Sequence, residues 1–178
     1  MEKEIHNALK VLKKGGIILY PTDTIWGIGC DATNIKSVAK IYQIKKRDDS
    51  KALISLIANK QQLKIYTKDF PEEAENISPT TIIYKNTKGL AKNLLANNGS
   101  AAIRIVNDKF CNDLITQFGK AIVSTSANIS KQTVPIKFSE IAKEIIDNVD
   151  YVVNLRKNEI MSTPSHILEI TSDGSVKK

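Results

Sequence analysis

The stretch Tyr20-Pro21-Thr22-Asp23-Thr24-Ile25-Trp26-Gly27-Ile28-Gly29 decides how this chain is read. The apolar run Ile17-Ile18-Leu19 leads into it, bounded upstream by Gly15-Gly16, and reads as a short buried β-strand that stops at Pro21. Small polar residues follow, and Gly27 and Gly29 would let the backbone bend tightly and a ligand approach it closely. A strand that delivers hydroxyls and a carboxylate onto a glycine-rich turn can build a pocket floor. Pro, Thr, Asp and Gly also favour ordinary turns, so the stretch alone leaves both readings open.

Outward from it, the chain alternates helix and strand patterns. Upstream, residues 2–14 carry Ile5, Ala8, Leu9 and Leu12 at helical spacing, with Gly15 as the stop. Downstream, Asn34 is placed to cap a helix running to about Lys46, with Val38 and Ile41 inward. Residues 52–58 (ALISLIA), 80–85 (TTIIYK), 101–106 (AAIRIV) and 121–124 (AIVS) read as strands, as do YVV, HILEI and the last few residues. Gln61–Tyr66 reads as a short helix, 108–119 as a helix capped by Asp108 and ended by Gly119, and Ser139–Ile146 as helical. Some strands follow one another with no helix between them, which predicts a mixed sheet flanked by helices.

Length and composition bound the answer. A chain of 178 residues fits one domain, 1–178, large enough for a core without disulfide or metal staples. Hydrophobic residues at 42% and charged residues at 25% are ordinary for a soluble globular protein. No apolar run approaches the ~20 residues of a membrane span, and the N-terminus lacks a secretory segment. Cys30 and Cys111 stand far apart and in no CxxC, which suits a reducing cytoplasm. The net charge of +7, from 26 Lys+Arg against 19 Asp+Glu, suggests an anionic partner without naming it.

The familiar short motifs are missing: no GxxxxGK[ST] loop, no HExxH, no GxSxG, no paired Cys or His site. His6 and His166 read as surface or packing residues. Gly27 to Ala32 fits a loose GxGxxA, but the glycines do not follow a strand directly and the next helix starts late. What the sequence offers instead is hydroxyls and cations at strand ends. Lys45, Arg47 and Lys51 cluster after a helix, where the plain alternative is a solvated C-terminus suited to the helix dipole. Arg104, alone inside AAIRIV, either reaches solvent or is paired, because an unpaired buried guanidinium is very costly. Ser124-Thr125-Ser126-Ala127-Asn128 sets three hydroxyls and an amide after an apolar strand, and Ser162-Thr163-Pro164-Ser165 repeats the arrangement before HILEI.

Taken in order, YPTDTIWGIG, IKKR with Lys51, PTT, AIRI, STSAN and TPS before HILEI resemble the YrdC-like domain family, which includes the threonylcarbamoyl-adenylate synthases. The resemblance runs from about Leu9 to the end. It implies an α/β (α+β) fold: a twisted mixed parallel/antiparallel sheet flanked by helices around a concave basic groove. It also implies an enzyme, a nucleotidyltransferase making threonylcarbamoyl-AMP and pyrophosphate from L-threonine, bicarbonate or CO2, and ATP. The product would pass to a downstream tRNA threonylcarbamoyl-transferase complex in the cytoplasm.

Carried over residue by residue, Thr24, Arg104, Ser124 and Ser165 would bind threonine, with Arg104 on its carboxylate. Lys45, Arg47 and Lys51 would hold the phosphates as the catalytic cations, and Ser100, Ser126 and Asn128 would line the nucleotide side. Mg²⁺ would be carried by the nucleotide phosphates, with no protein metal ligands. The chain departs from the family pattern in Asp48 after Arg47, in Ile77-Ser78-Pro79 for PGP, in Val106 and His166, and in ending at Lys177-Lys178 where Arg-x-Gly is usual. In length it resembles the short bacterial form. The alternatives are a non-catalytic double-stranded RNA/tRNA-binding module, motivated by the charge, and a carbamoyl-transfer domain of hydrogenase maturation.

Overall fold

The computed structural model describes residues 1–47, 53–75, 78–171 and 175–177. Its principal elements are α1 (Glu2–Lys13), β1 (Ile18–Pro21), β2 (Trp26–Gly29), α2 (Ile35–Ile44), β3 (Ile54–Ile57), α3 (Lys60–Tyr66) and β4 (Thr80–Tyr84). They continue with β5 (Ala101–Ile105), α4 (Lys109–Phe118), β6 (Ile122–Ser126), α5 (Lys143–Asp147), β7 (Tyr151–Val152), β8 (His166–Ile170) and β9 (Val176–Lys177).

Among the described residues nine strands make one mixed sheet, in the order β7-β1-β2-β6-β3-β5-β4-β8-β9. The β7/β1, β3/β5 and β4/β8 pairs are parallel, and the others are antiparallel. Strand residues alternate between faces, and the two apolar clusters follow that alternation. On one face Ile18, Tyr20, Leu56 and Ile122 meet α1 through Ile5, Ala8, Leu9 and Leu12, and α4 through Phe110, Leu114 and Ile115. On the other, Leu19, Trp26, Ile28, Ile57, Ile82, Ile103 and Val123 meet Val38 and Ile41 of α2, Leu63 and Tyr66 of α3, and Ile145 of α5. Each such Val, Leu, Ile or Phe side chain, fully buried, contributes about 1.5–3 kcal/mol.

The helix ends follow local chemistry. Asn34 Oδ1 accepts from the Lys36 and Ser37 amides at the start of α2, and Asp108 Oδ1 from the Cys111 amide at the start of α4. Gly119 closes α4 in the left-handed region at φ 75°. The predicted helix over Ser139–Ile146 is instead a 3-10 turn at Phe138–Glu140 followed by the short α5.

The opening stretch differs from its sequence reading in one respect. Gly27 and Gly29 do not bend the chain; they lie inside β2, which pairs with β1 in the register Ile18↔Gly29 to Pro21↔Trp26. A Cβ on Gly29 would sit 2.5 Å from the Val123 carbonyl oxygen and 2.6 Å from Tyr20 Cε1, and one on Gly27 would sit 2.9 Å from Ser124 Oγ. Crowding by β6, not flexibility, demands glycine here. The turn of the hairpin is Thr22–Ile25, locked by the Thr22 hydroxyl, which accepts from the Thr24 and Ile25 amides and donates to the Ile25 carbonyl at 2.7 Å.

Candidate active site

Helices α1 and α4 cover one part of their face of the sheet. Beyond the covered row Ile122–Leu56–Arg104, the register sets Ser124, Ile54, Ala102 and Ile83 side by side on β6, β3, β5 and β4. Ser124 and Ala102 keep 8% and 9% exposure, and Ile54 and Ile83 are half-buried, so this row is the floor of a shallow groove. The β1–β2 turn forms its wall. In the sheet β2 stands three strand steps from β5, roughly 14 Å at the usual spacing. Yet Arg104 Nη2 donates to Asp23 Oδ1 at 2.8 Å and to Thr24 Oγ1 at 3.3 Å. The hairpin tip therefore curls over β6 and β3 and makes the face concave.

Arg104 answers the question its sequence position posed: it is buried and paired, 3% exposed against 5% for the Asp23 side chain. Its Nε is buried with no hydrogen-bond acceptor. A buried, partly unsatisfied guanidinium is a ready receptor for a carboxylate or phosphate. Continuing the Ile82↔Ile103 register sets Thr81 across from Arg104. The fully buried Thr81 shares a 2.8 Å hydrogen bond between hydroxyls with Ser165. Ser124 lies on the same face near the Tyr20 phenol, which donates to the Val123 carbonyl and whose pKa is raised by burial first and the nearby Cys111 second. Cys111, also fully buried, has its thiol pushed up by desolvation, then by Asp108 and Asp23.

A second group forms where β6 ends. Lys45, expected from the family resemblance to hold phosphates and otherwise to be a solvated helix-end cation, is 1% exposed. Its ammonium donates to the Ser126 carbonyl, to the Asn128 carbonyl at 2.7 Å and to Asn128 Oδ1 at 3.3 Å. Ser126 Oγ also donates to Asn128 Oδ1, and Asn128 Nδ2 donates to the Ile129 and Gln132 carbonyls. Burial, then the charge of Arg47, pushes the Lys45 ammonium down to about 7. Arg47 itself is half-buried just past α2. Ser100 is buried just ahead of β5, and its amide donates to Asn98 Oδ1. Lys51 and Asp48 lie outside the described residues.

Thr24, Arg104, Ser124 and Ser165 thus gather along the groove, and Lys45, Ser126 and Asn128 interlock at its β6 end. Three participants carried no assigned role in the sequence reading. Asp23 was in plain view within the opening stretch; Thr81 is one of two adjacent threonines; Arg156 has no local signal. Arg156 Nη1 donates to the Thr22 carbonyl at 3.0 Å and to Asp108 Oδ2 at 2.8 Å, tying the hairpin tip to the start of α4. Among the described residues no three His, Cys, Asp or Glu side chains gather as a metal site, and no helix is long and apolar enough to cross a membrane.

The fold and groove define an α/β protein in which a buried arginine, hydroxyls and a lysine-braced turn are brought together at strand ends. The family model described as Telomere recombination, Sua5/YciO/YrdC, matches residues 10–177, and the chain belongs to that family. A putative threonylcarbamoyl-AMP synthase of Methanocaldococcus jannaschii is 33% identical over 181 residues, 97% of this chain and 84% of that protein. A threonylcarbamoyl-AMP synthase of Pseudoalteromonas translucida is 32% identical over 161 residues, 86% of each. E. coli YciO has the same fold, with a TM-score of 0.84 at 20% identity over 97% of this chain and 86% of its own. P. abyssi Sua5 in complex with L-threonine also gives 0.84, at 24% identity over 97% of this chain; the chain spans 52% of that longer protein.

Proposed function

We propose that the protein is an L-threonylcarbamoyl-AMP synthase acting in the cytoplasm. Its relatives carry that name over most of its length. The observation that carries the reading is Arg104: buried, hydrogen-bonded to Asp23 and Thr24, and still holding a buried N–H without an acceptor one row from the groove floor. In this reading the threonine carboxylate meets that guanidinium, with Thr24, Ser124 and Ser165 around the substrate. A hydrogen bond to the threonine hydroxyl would reject analogues lacking it by ~10⁴-fold, whereas a methyl contact alone gives ~10–200-fold.

Ser100, Ser126 and Asn128 would line the nucleotide, with Arg47 and Lys51 on its phosphates. Lys45 has its N–H donors on protein oxygens, so its part is to hold the Ser126–Asn128 turn in place. The threonine ammonium gives a proton to water, the free amine adds to CO2 and sheds a second proton, and an oxygen of the resulting carbamate bonds to the α-phosphorus as the bond to the bridging oxygen breaks and pyrophosphate departs. Cations and fixed dipoles aligned on the departing charge, with no side-chain nucleophile, suffice for such a step. Magnesium would enter with the triphosphate, held by phosphate oxygens and water.

The test is pyrophosphate release from ATP with threonine and bicarbonate. Release that depends on both supports the assignment; release that ignores threonine, or none at all, refutes it. Arg104→Met should abolish the threonine-dependent release. The RNA-binding alternative lacks a stacking platform in its single tryptophan, since Trp26 is fully buried, 5.0 Å from the Phe138 ring.

A further inference from the structure

Asp23 poses a problem for the reading just given, and its solution says which ligands the site accepts. The guanidinium offered to a substrate carboxylate already faces a carboxylate, that of Asp23, with both side chains almost fully buried. Left alone, the pair is neutral. A second carboxylate arriving at Arg104 gives the pocket a net negative charge and sets two like charges around one cation, where low polarity magnifies the repulsion. Tyr20 and Cys111 close by cannot relieve it, because neither has a cationic form and burial keeps both neutral. The ligand must therefore bring a positive charge of its own, close to its carboxylate.

We propose that Asp23 is the specificity-determining residue for the α-ammonium of the substrate, so that the site takes zwitterionic amino acids and rejects the same acids without the amine. The inference rests on Arg104 receiving the threonine carboxylate. Asp23 is built for the part. Its Oδ1 accepts from Arg104 at 2.8 Å and its Oδ2 from the Asn107 amide at 3.2 Å, which fixes the plane of the carboxylate. A carboxylate has about four acceptor positions, so each oxygen keeps one for an ammonium donor. The locked Thr22–Ile25 turn holds the residue over the groove, which spares the reorganisation that a mobile acid would need.

The experiment is calorimetric titration with L-threonine and with 3-hydroxybutanoate, which is threonine with its amine replaced by hydrogen. The wild-type protein should bind threonine at least ~10²-fold more tightly, the size of effect expected for a desolvated charge pair. In Asp23→Asn that preference should collapse to within a few-fold, through weaker threonine binding and unchanged or tighter 3-hydroxybutanoate binding. Asp23→Glu, which keeps the charge, should retain most of the preference. Equal binding of the two ligands by the wild-type protein overturns the proposal without any variant, and so does proportional loss of both in Asp23→Asn, the mark of a merely structural residue. If the wild-type protein binds neither ligand, the threonine reading of Arg104 falls first and takes this one with it.

Discussion

Arg156 offers a test in which two small substitutions should separate in an order opposite to their usual one. It sits at φ 53°, in the left-handed region that non-glycine residues seldom occupy. Its side chain explains the tolerance: besides the Thr22 and Asp108 bonds it donates to Glu159 Oε2 at 2.7 Å, and it is 29% exposed against 15% for Asp108. The two inner bonds together are worth about 2–3 kcal/mol after discounting for partial exposure. The outer one to the half-exposed Glu159 adds little. Arg156→Ala loses those bonds and keeps a side chain in a left-handed backbone. Arg156→Gly loses the same bonds but sheds a steric penalty of about 1–2 kcal/mol, less about 0.5–1 kcal/mol for the looser unfolded chain. Glycine should therefore be the more stable variant by about 0.5–1 kcal/mol, or about 1–4 °C in Tm for a chain this size. Guanidinium denaturation at unchanged m reads the difference directly. An alanine variant as stable as the glycine one would refute the claim that strain is held in place by the side chain. Both variants should raise KM for threonine more than they lower kcat, since Arg156 acts through the Thr22 carbonyl; an unchanged KM would show that the tip does not need this tie.

Three further outcomes follow from the same geometry. Gly29→Ala should cost about 1–3 kcal/mol or more, lowering Tm by several degrees, because its methyl meets a backbone oxygen 2.5 Å away that cannot swing aside. Lys45→Met isolates a pH effect: with the ammonium held at about 7 in the fold against an ordinary 10.5, the unfolded chain binds the extra proton between those values. Wild-type stability relative to the variant should therefore rise as pH climbs from 7 to about 10, by at most ~5 kcal/mol, and denaturation curves at pH 7 and 9.5 check the sign. Glu4 titrates the opposite way. Burial raises its pKa, but the Asn154 amide and Tyr151 hydroxyl outweigh that and leave it lowered. Its stabilisation is present above the unfolded value of 4.5 and lost as pH falls through the folded one, so Glu4→Gln should flatten the acid limb of the stability profile.

Local signals in the sequence marked most of the frame. Helical spacing in α1, the Asn34 and Asp108 caps, the left-handed Gly119 and the β-branched run of β4 each encode their element within a few residues. Arg104 was legible for a different reason: burying a lone guanidinium in an apolar strand obliges a partner to exist, even though Asp23 could not be named as that partner. Neither reading of Lys45, as a phosphate-holding cation or as a solvated helix end, foresaw its surroundings, because the oxygens around it belong to Ser126 and Asn128, some eighty positions later. Arg156 left no trace at all, since neither its backbone conformation nor its partners is written in its neighbours.

The glycines of β2 join these levels. Read locally they mean flexibility; seen beside β6 they mean proximity, since the missing Cβ of Gly27 is what leaves room for Ser124 Oγ. Gly27 pairs with Ser126, so the strand that seats Ser124 also delivers Ser126 to the Lys45-braced turn. A single bulky residue at Gly27 would push β2 from β6 and shift both groups of the site at once, while Arg104, three strands from β2, would lose the hairpin tip that covers it. The groove is therefore a property of how closely these strands lie rather than of any one loop. That closeness makes a pocket from side chains none of which, in its own stretch of sequence, singles out a ligand.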